Sequence, residues 1–368
     1  MTNHTDLLPV GLADRLPASA RAITLAMRTA LDRLEAHGYD RVRPPLLEFE
    51  TSLASRMEGV ETTAMFRFVD PASLRTLALR SDITPQIGRI AATSLAGAPR
   101  PLRLAYCGDT ALIAASQLDP ARERLQLGAE LIGADTVAAA SEIVTLAIEA
   151  CNAAGLSEIS LDMTLPDLVD ALAAKDEALS ADAIEAIKRE LDTKDAGGLR
   201  AVGGEAYLPL LYAAGPFETA LTAMREIDAG GALGTRLDGL EAIAACVGDD
   251  VRITLDPTER HGFGYQSWFG FTLYANGVRG AAGRGGTYRI AGSEEVATGF
   301  TLYVDRIADA TDEPERASLV FLPLGHDAAR AAQLRAEGWR TLAALSEGED
   351  AKVLGCTHSL EGSEVRAL

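Results

Sequence analysis

The segment SDITPQ (residues 81–86) carries three polar side chains that together could bind an ammonium group. Asp82 would supply negative charge, while Thr84 and Gln86 would supply neutral hydrogen bonds. The segment falls at a predicted strand-to-helix junction. Capping of that helix by Ser81 or Asp82 is the alternative interpretation, and the segment taken alone favours it.

A second polar group lies in QLGAE (residues 126–130). Gln126 and Glu130 are separated by an even number of residues and therefore share one face of a predicted strand. Polar side chains that face inward on a sheet need a protein partner or a ligand. These two could line a binding pocket or lie on a solvent-exposed face, and the pattern is compatible with both.

Two further segments could contribute to a pocket. Arg260 and Tyr265 come just before a strongly apolar strand, although each taken singly is better explained by a structural role. The glycine-rich GRGGTYRI (residues 283–290) would have to lead into a helix N-terminus in order to bind phosphate. It leads instead into a short polar strand, which favours a tight turn or a close backbone approach.

Composition limits the classes of function. The formal net charge of −19 disfavours binding to a phosphate backbone. The four cysteines are far apart and the five histidines are scattered, so we expect reduced thiols and neither a metal site nor a cofactor. No apolar stretch approaches the length of a bilayer span, and the N-terminus lacks a signal-peptide pattern. We therefore expect a cytoplasmic protein that binds neither nucleic acid nor membrane.

The order of predicted elements indicates an α+β fold, because hairpins and helices occur without regular βαβ alternation. Hairpins are predicted at residues 65–80 and 103–133, and an Ala-rich helix at 134–155. Strands resume at 251–256, and we predict a helix over VATGFTLYVDRIADA (296–310).

The chain of 368 residues is long enough for more than one domain. Residues 1–310 are predicted to form the main domain. A helical insertion at about residues 160–248, where acidic and Lys content is densest, interrupts it. Residues 311–368 follow as a linker and a short C-terminal α/β segment, which is too short for a full independent domain.

Taken in order, several segments resemble the class II aminoacyl-tRNA synthetase core of the histidyl type. YDRVRPPLLE (39–48) resembles motif 1, which forms the dimer, and the hairpin from RLAYCG to QLGAELIG resembles motif 2. GRGGTYRI resembles the family's glycine-rich GGRYD strand, and TGFTLYVDRI (298–307) resembles motif 3, with Arg306 at the arginine position. The resemblance covers about residues 7–310 and implies an antiparallel sheet flanked by helices.

One branch of this family fits better than the synthetases. LLPVGLADRLP and LALRSDITPQIGRIAA resemble the regulatory subunits of ATP phosphoribosyltransferase, which are non-catalytic relatives of the synthetases. Where a synthetase holds ATP with a motif 2 arginine and a glutamate, an ungapped alignment places Leu112 and Ala114. The C-terminal segment has about half the length of an anticodon-binding domain, which it would replace. The resemblance thus implies a lost nucleotide site.

The resemblance also implies a ligand and partners. The positions of the family's histidine pocket are occupied by Asp82, Thr84, Gln126, Glu130, Arg260 and Tyr265. The implied partners are a second copy of the chain, histidine, and the short-form ATP phosphoribosyltransferase catalytic subunit, which performs the first step of histidine biosynthesis. We expect the chain to activate that subunit and to take part in feedback inhibition by histidine. The alternative is a degenerate but active histidine-activating enzyme that uses Arg306 with Arg122 or Arg124 for ATP.

Overall fold

The structure is a computed structural model. It describes residues 8–54, 65–114, 120–174, 179–228, 230–260, 266–312 and 316–368. The chain divides into two compact units, Met1–Asp312 and Glu313–Leu368.

Secondary structure fills most of the described chain. The strands are β1 (Asp40–Arg41), β2 (Leu47–Phe49), β3 (Arg67–Val69), β4 (Thr76–Leu79), β5 (Leu102–Ala111), β6 (Glu123–Ile132), β7 (Ser160–Thr164), β8 (Gly215–Pro216), β9 (Arg252–Leu255), β10 (Gln266–Tyr274), β11 (Gly283–Arg289), β12 (Val296–Tyr303), β13 (Leu319–Leu322), β14 (Arg340–Ala343), β15 (His358–Glu361) and β16 (Glu364–Ala367).

The helices are α1 (Pro17–Ala36), α2 (Glu50–Ala54), α3 (Thr84–Ala92), α4 (Val137–Ala153), α5 (Leu168–Ala173), α6 (Ala181–Asp192), α7 (Ala196–Ala201), α8 (Phe217–Ile227), α9 (Gly234–Ala244), α10 (Val304–Ala310) and α11 (Ala328–Ala336), with a 3₁₀ helix at Glu205–Tyr212. Within the described part of the chain, no helix combines the length and the apolar character needed to cross a membrane.

The first unit is built on one large sheet. Its nine described strands run in the order β1-β5-β6-β12-β11-β10-β7-β9-β8. The run from β5 to β7 is antiparallel throughout, whereas β1 pairs with β5 and β7 with β9 in parallel. A second, three-stranded sheet has the order β2-β4-β3. This arrangement confirms the predicted α+β fold with an antiparallel sheet flanked by helices.

One face of the large sheet forms the main core, because apolar residues alternate along strands such as β6, β7 and β10. On β6 the residues Leu127, Ala129 and Leu131 are fully buried and join a cluster that includes helices α1 and α4. The alternate residues Gln126 and Glu130 therefore point to the opposite face. Helix α3 covers part of that second face through a smaller apolar cluster.

The structure confirms several predicted elements. Helix α1 ends before Gly38, which has a φ of +80°. The predicted hairpins are present as β3–β4 and β5–β6, and the Ala-rich helix as α4.

The predicted helix over residues 296–310 is wrong for its first half. Residues Val296–Tyr303 form β12, between β6 and β11, and helix α10 begins only at Val304. Residues 297–302 are buried on both faces of the sheet, so they lack the polar alternation that distinguishes a strand. A short apolar run of this kind cannot be separated from a buried helix by periodicity alone.

The predicted start of the helical insertion is also wrong. Its first residues, Ser160–Thr164, form β7, which pairs with both β10 and β9 inside the large sheet. Leu161 and Met163 are fully buried and alternate with polar residues, which is the pattern of a strand. The helices of this region begin at Leu168 and end at Ala244, with β8 and the 3₁₀ helix among them.

The second unit, Glu313–Leu368, has a sheet and core of its own. Its strands run in the order β14-β13-β15-β16, and helix α11 connects β13 with its parallel neighbour β14. The side chains of Val320, Leu322, Leu334 and Leu360 are at most 2% exposed and form its apolar centre.

Gly285 tests how tightly the large sheet is built. A Cβ on Gly285 would lie 2.5 Å from both the Phe271 ring and the Gly299 carbonyl oxygen. Gly285→Ala should therefore lower the free energy of unfolding by about 1–3 kcal/mol, measured by urea denaturation. Gly234→Ala is the control, since an added Cβ there has no neighbour within 4 Å, and it should be neutral or slightly stabilising. Equal stability of the two variants would contradict this view of the sheet.

Candidate functional site

Two carboxyl side chains lie close together on the sheet face opposite the main core. Glu130 projects from β6 and is 1% exposed, and Asp82 precedes helix α3 and is partly buried. Thr84 and Gln126 are buried beside them. The structure thus brings together four of the residues that the sequence singled out.

Hydroxyl groups surround Glu130. Tyr288 Oη donates a hydrogen bond of 2.9 Å to Glu130 Oε2. Tyr106 Oη lies 2.6 Å from Thr301 Oγ1 and 3.3 Å from Thr84 Oγ1. Burial raises the pKa of both tyrosines well above the usual range, and the carboxyl charge of Glu130 adds to that shift. The phenols are therefore neutral, and they supply hydrogen bonds without charge.

Gln126 fixes the segment that carries Asp82. Its Oε1 accepts a hydrogen bond of 3.1 Å from the backbone N of Ile83, and its side chain also hydrogen bonds to Asp82. Helix α3 begins at Thr84, and its N-cap residue Ile83 makes no side-chain capping hydrogen bond. Asp82 Oδ1 nevertheless accepts a hydrogen bond of 3.3 Å from Thr84 N.

The two carboxyl groups have raised pKa values. Burial raises the pKa of Glu130 to about 8, and the nearby Asp82 charge contributes, although the Tyr288 hydrogen bond opposes the shift. Burial also raises the pKa of Asp82. Neither carboxyl forms an ion pair with any described residue of the chain. Two buried carboxyls that receive hydrogen bonds from neutral hydroxyl and amide groups are suited to a cationic ligand.

A row of glycines forms a floor beside Glu130. Across neighbouring strands, Glu130 pairs with Gly299, Gly299 with Gly286, and Gly286 with Gly270. A Cβ on Gly299 would overlap Glu130 Oε2, so only glycine leaves room for the carboxyl. GRGGTYRI accordingly provides a close backbone approach within β11 and not a phosphate-binding loop, as the sequence indicated.

Two predicted site residues are not part of this cluster as described. The backbone N of Arg260 donates a hydrogen bond of 2.8 Å to Asp192, and its Nη1 lies 3.8 Å from Glu185 Oε2. Both partners belong to helix α6. Tyr265 lies outside the described residues. Their role in ligand binding stays a prediction.

Leu112 and Ala114, at the positions of the lost nucleotide site, follow the end of β5. Two hydrogen bonds join the backbone of Leu112 to Arg122. Leu112 N donates to Arg122 O at 2.8 Å, and the side-chain Nε of Arg122 donates to Leu112 O at 3.2 Å. Ala114 is exposed. These two positions therefore offer no charged or polar side chain to a phosphate.

The other arginines near this end of the site have protein partners. Arg124 forms an ion pair of 2.8 Å with Asp305. Arg306 Nη1 donates a hydrogen bond of 3.0 Å to the carbonyl of Ala281, and its guanidinium lies 4.7 Å from the centroid of the Tyr303 ring. These groups hold α10 against the sheet.

Tyr106, Tyr288 and Thr301 belong to the cluster, although the sequence did not single them out. Each lies on a strand whose alternate residues share the face of Glu130. The signal was the pairing register, because Thr301 and Tyr106 flank Gly128 on the two neighbouring strands. Register is a property of the folded sheet and cannot be read from one strand.

Comparisons with known proteins agree on a family. The sequence profile of the histidyl-tRNA synthetase family matches residues 11–307. The ATP phosphoribosyltransferase regulatory subunit of Paramagnetospirillum magneticum is 39% identical over 365 residues, covering 96% of this chain and 96% of the relative. That of Rhodospirillum centenum is 37% identical over 376 residues, covering 98% of this chain and 96% of the relative.

Solved structures share the fold. An ATP phosphoribosyltransferase regulatory subunit/histidyl-tRNA synthetase from Bacillus halodurans superposes with a TM-score of 0.81 at 24% identity, over 96% of this chain and 97% of that one. Histidyl-tRNA synthetase from Nostoc sp. PCC 7120 superposes with a TM-score of 0.78 at 15% identity, over 96% and 90%. The class II synthetase-like fold predicted from the order of motifs is confirmed.

The raised pKa of Glu130 predicts a pH-dependent stability. Its pKa rises from 4.5 to about 8 on folding, so the folded state keeps a proton that the unfolded state releases above pH 4.5. Stability should therefore fall as pH rises through this window. Glu130→Gln replaces the carboxyl with an uncharged amide of nearly the same shape. Its free energy of unfolding, relative to that of wild type, should increase by about 2–4 kcal/mol between pH 5 and pH 8.

Urea denaturation across that pH range measures the effect. Glu123→Gln is the matched control, because Glu123 lies on the same strand but is exposed. Parallel pH profiles for wild type and Glu130→Gln would show that Glu130 is not held neutral by burial.

Proposed function

The chain belongs to the family of ATP phosphoribosyltransferase regulatory subunits, and from that premise we propose that it assembles with a short-form catalytic subunit, activates it and takes part in its feedback inhibition by histidine. The observation that carries the proposal is the identity of 37–39% to two regulatory subunits over nearly the whole chain. The catalytic subunit would perform the first step of histidine biosynthesis, and this chain would not itself catalyse a reaction.

The absence of catalysis is supported by the nucleotide end of the fold. Activation of an amino acid requires positive groups aimed at the transferring phosphate. Leu112 and Ala114 provide none. Arg124 is already paired with Asp305, and Arg122 is hydrogen bonded to the carbonyls of Leu112 and Val10. An ATP molecule would have to displace these partners.

Histidine as the ligand is supported by the carboxyl pair. Histidine carries an ammonium group and a basic imidazole, and Asp82 and Glu130 are suited to accept hydrogen bonds from either. The arrival of a cation would favour loss of the proton from Glu130. Tyr288 and Thr84 supply neutral hydrogen bonds at the same place. Feedback then requires only that histidine binds the inhibited state of the complex more tightly than the active one.

Reconstitution tests the proposal. Addition of this chain to a purified short-form catalytic subunit should raise its turnover and should lower the histidine concentration needed for half-inhibition. Steady-state rates of phosphoribosyl-ATP formation, with and without histidine, measure both effects. Unchanged rates and unchanged histidine sensitivity would refute the proposal, and histidine-dependent pyrophosphate exchange by the chain alone would favour an active enzyme instead.

We also propose that the chain forms a dimer through the small sheet β2-β4-β3. Strand β2 contains the end of the motif 1 segment. Apolar side chains are exposed here: Phe68 by 44%, Val69 by 62% and Leu74 by 79%. Leu46 and Leu47 continue the patch at 44% and 39%. An apolar surface of this kind is typical of a protein interface.

A charged double substitution tests the dimer. Val69→Asp combined with Leu74→Asp should convert a dimer into a monomer, because two carboxylates would be buried without partners at the interface. Light scattering after size exclusion gives the mass. Leu345→Asp is the control, since Leu345 is 89% exposed in the second unit, and it should stay dimeric. A dimeric double variant, or a monomeric wild type, would refute this surface.

A further inference from the structure

Arg284 projects from β11 onto the same face of the sheet as Glu130. It pairs across the strands with Thr272 on β10 and with Thr301 on β12. Thr301 in turn hydrogen bonds to Tyr106, a member of the carboxyl cluster. Along β11, Arg284 is separated from Tyr288 by Gly286, which belongs to the glycine floor. Arg284 and Tyr288, the hydrogen-bond partner of Glu130, therefore lie on opposite sides of the glycine floor.

The guanidinium of Arg284 has no protein partner among the described residues. Its Nε is buried and makes no hydrogen bond, and no carboxylate of the described chain pairs with it. The nearest acidic residue in its cross-strand row, Asp162, accepts a hydrogen bond of 2.5 Å from Thr254. A buried donor without a partner is costly, so this group is suited to an anion that the chain does not supply.

Other arginines on this side of the sheet are structurally committed. Arg80 is 5% exposed and donates hydrogen bonds to the carbonyls of Asp109 and Pro44, at 2.7 and 3.1 Å. Arg124 and Arg306 hold α10, as described above. Arg284 differs from all three because nothing in the described chain occupies its donors.

Two tyrosines lie beside the guanidinium of Arg284. Burial raises the pKa of Tyr274 and Tyr303, and the positive charge of Arg284 opposes that shift at both, so the guanidinium lies near both phenol groups. The residue is only partly exposed. The guanidinium therefore lies on the sheet face that Tyr274 and Tyr303 share.

The spacing fits an amino-acid zwitterion. Two residues along a strand advance about 7 Å, and neighbouring strands lie about 5 Å apart. Arg284 and Gly286 are two residues apart along β11. Gly286 and Glu130 lie two strands apart, with Gly299 between them. A small amino acid lying on the glycines could place a cationic group at Glu130 and Asp82 and its carboxylate at Arg284.

We propose that Arg284 binds the α-carboxylate of the amino-acid ligand whose cationic groups are held by Asp82 and Glu130. This inference rests on the proposed binding of histidine to the chain. Arg260, the arginine that the sequence placed in the histidine pocket, contacts helix α6 instead. A planar guanidinium matches a carboxylate with two parallel hydrogen bonds.

Calorimetric titration of the full chain with two ligands tests the assignment. L-Histidine carries the carboxylate, whereas L-histidinol keeps the ammonium and imidazole but has a hydroxymethyl group in its place. Wild type should bind histidine at least about tenfold more tightly than histidinol. In Arg284→Gln, the Kd for histidine should rise at least about tenfold, while the Kd for histidinol should stay within about twofold of the wild-type value.

Two variants control for damage to the fold. Arg289→Gln changes an exposed arginine on the same strand and should bind both ligands as wild type does. Arg284→Lys keeps the charge but cannot form two parallel hydrogen bonds to a carboxylate. Its affinity for histidine should therefore fall, by less than in Arg284→Gln, while its affinity for histidinol should not change. If Arg284→Gln does not fold, the lysine variant supplies the comparison.

The outcomes separate the two hypotheses. Equal weakening of both ligands, or histidine binding unchanged by either Arg284 variant, overturns the assignment of Arg284 and leaves histidine binding intact. Failure of wild type to bind histidine overturns the assignment together with the histidine part of the proposed function. Neither result bears on activation of the catalytic subunit, which reconstitution measures separately.

Discussion

The candidate site depends on a carboxyl group buried without a cation. Glu130 is 1% exposed and has hydroxyl and carboxyl neighbours but no ion-pair partner in the described chain. Burial of an ionised carboxylate is costly, so the folded protein either keeps Glu130 protonated or meets its charge with a ligand. The Tyr288 hydrogen bond and the glycine at position 299 both accommodate this group.

Binding of a cation and the protonation of Glu130 are consequently linked. At neutral pH the carboxyl is mainly protonated, because its pKa is raised to about 8. A ligand that carries positive charge lowers that pKa and releases a proton. The protonation of Glu130 and the binding of any cation beside it would therefore depend on each other.

The sequence predicted the parts of this site that depend on local pattern. Gln126 and Glu130 were placed on one face by their even spacing, and the segment of Asp82 and Thr84 was placed at the start of a helix. Tyr288, Thr301 and Arg284 join the site through pairing between strands distant in the chain, which no local pattern encodes. The sequence of β12 resembles a helix for a related reason, since burial on both faces removes the alternation that identifies a strand.

The glycine floor also limits how single substitutions can change the space beside Glu130. Gly270, Gly286 and Gly299 already carry the smallest side chain at three adjacent positions. Any substitution there fills space, and at Gly299 it would collide with the carboxyl that defines the site. Single mutations of the floor can therefore only reduce the space above it. Additional space beside Glu130 would have to come from smaller side chains before α3 or along β11.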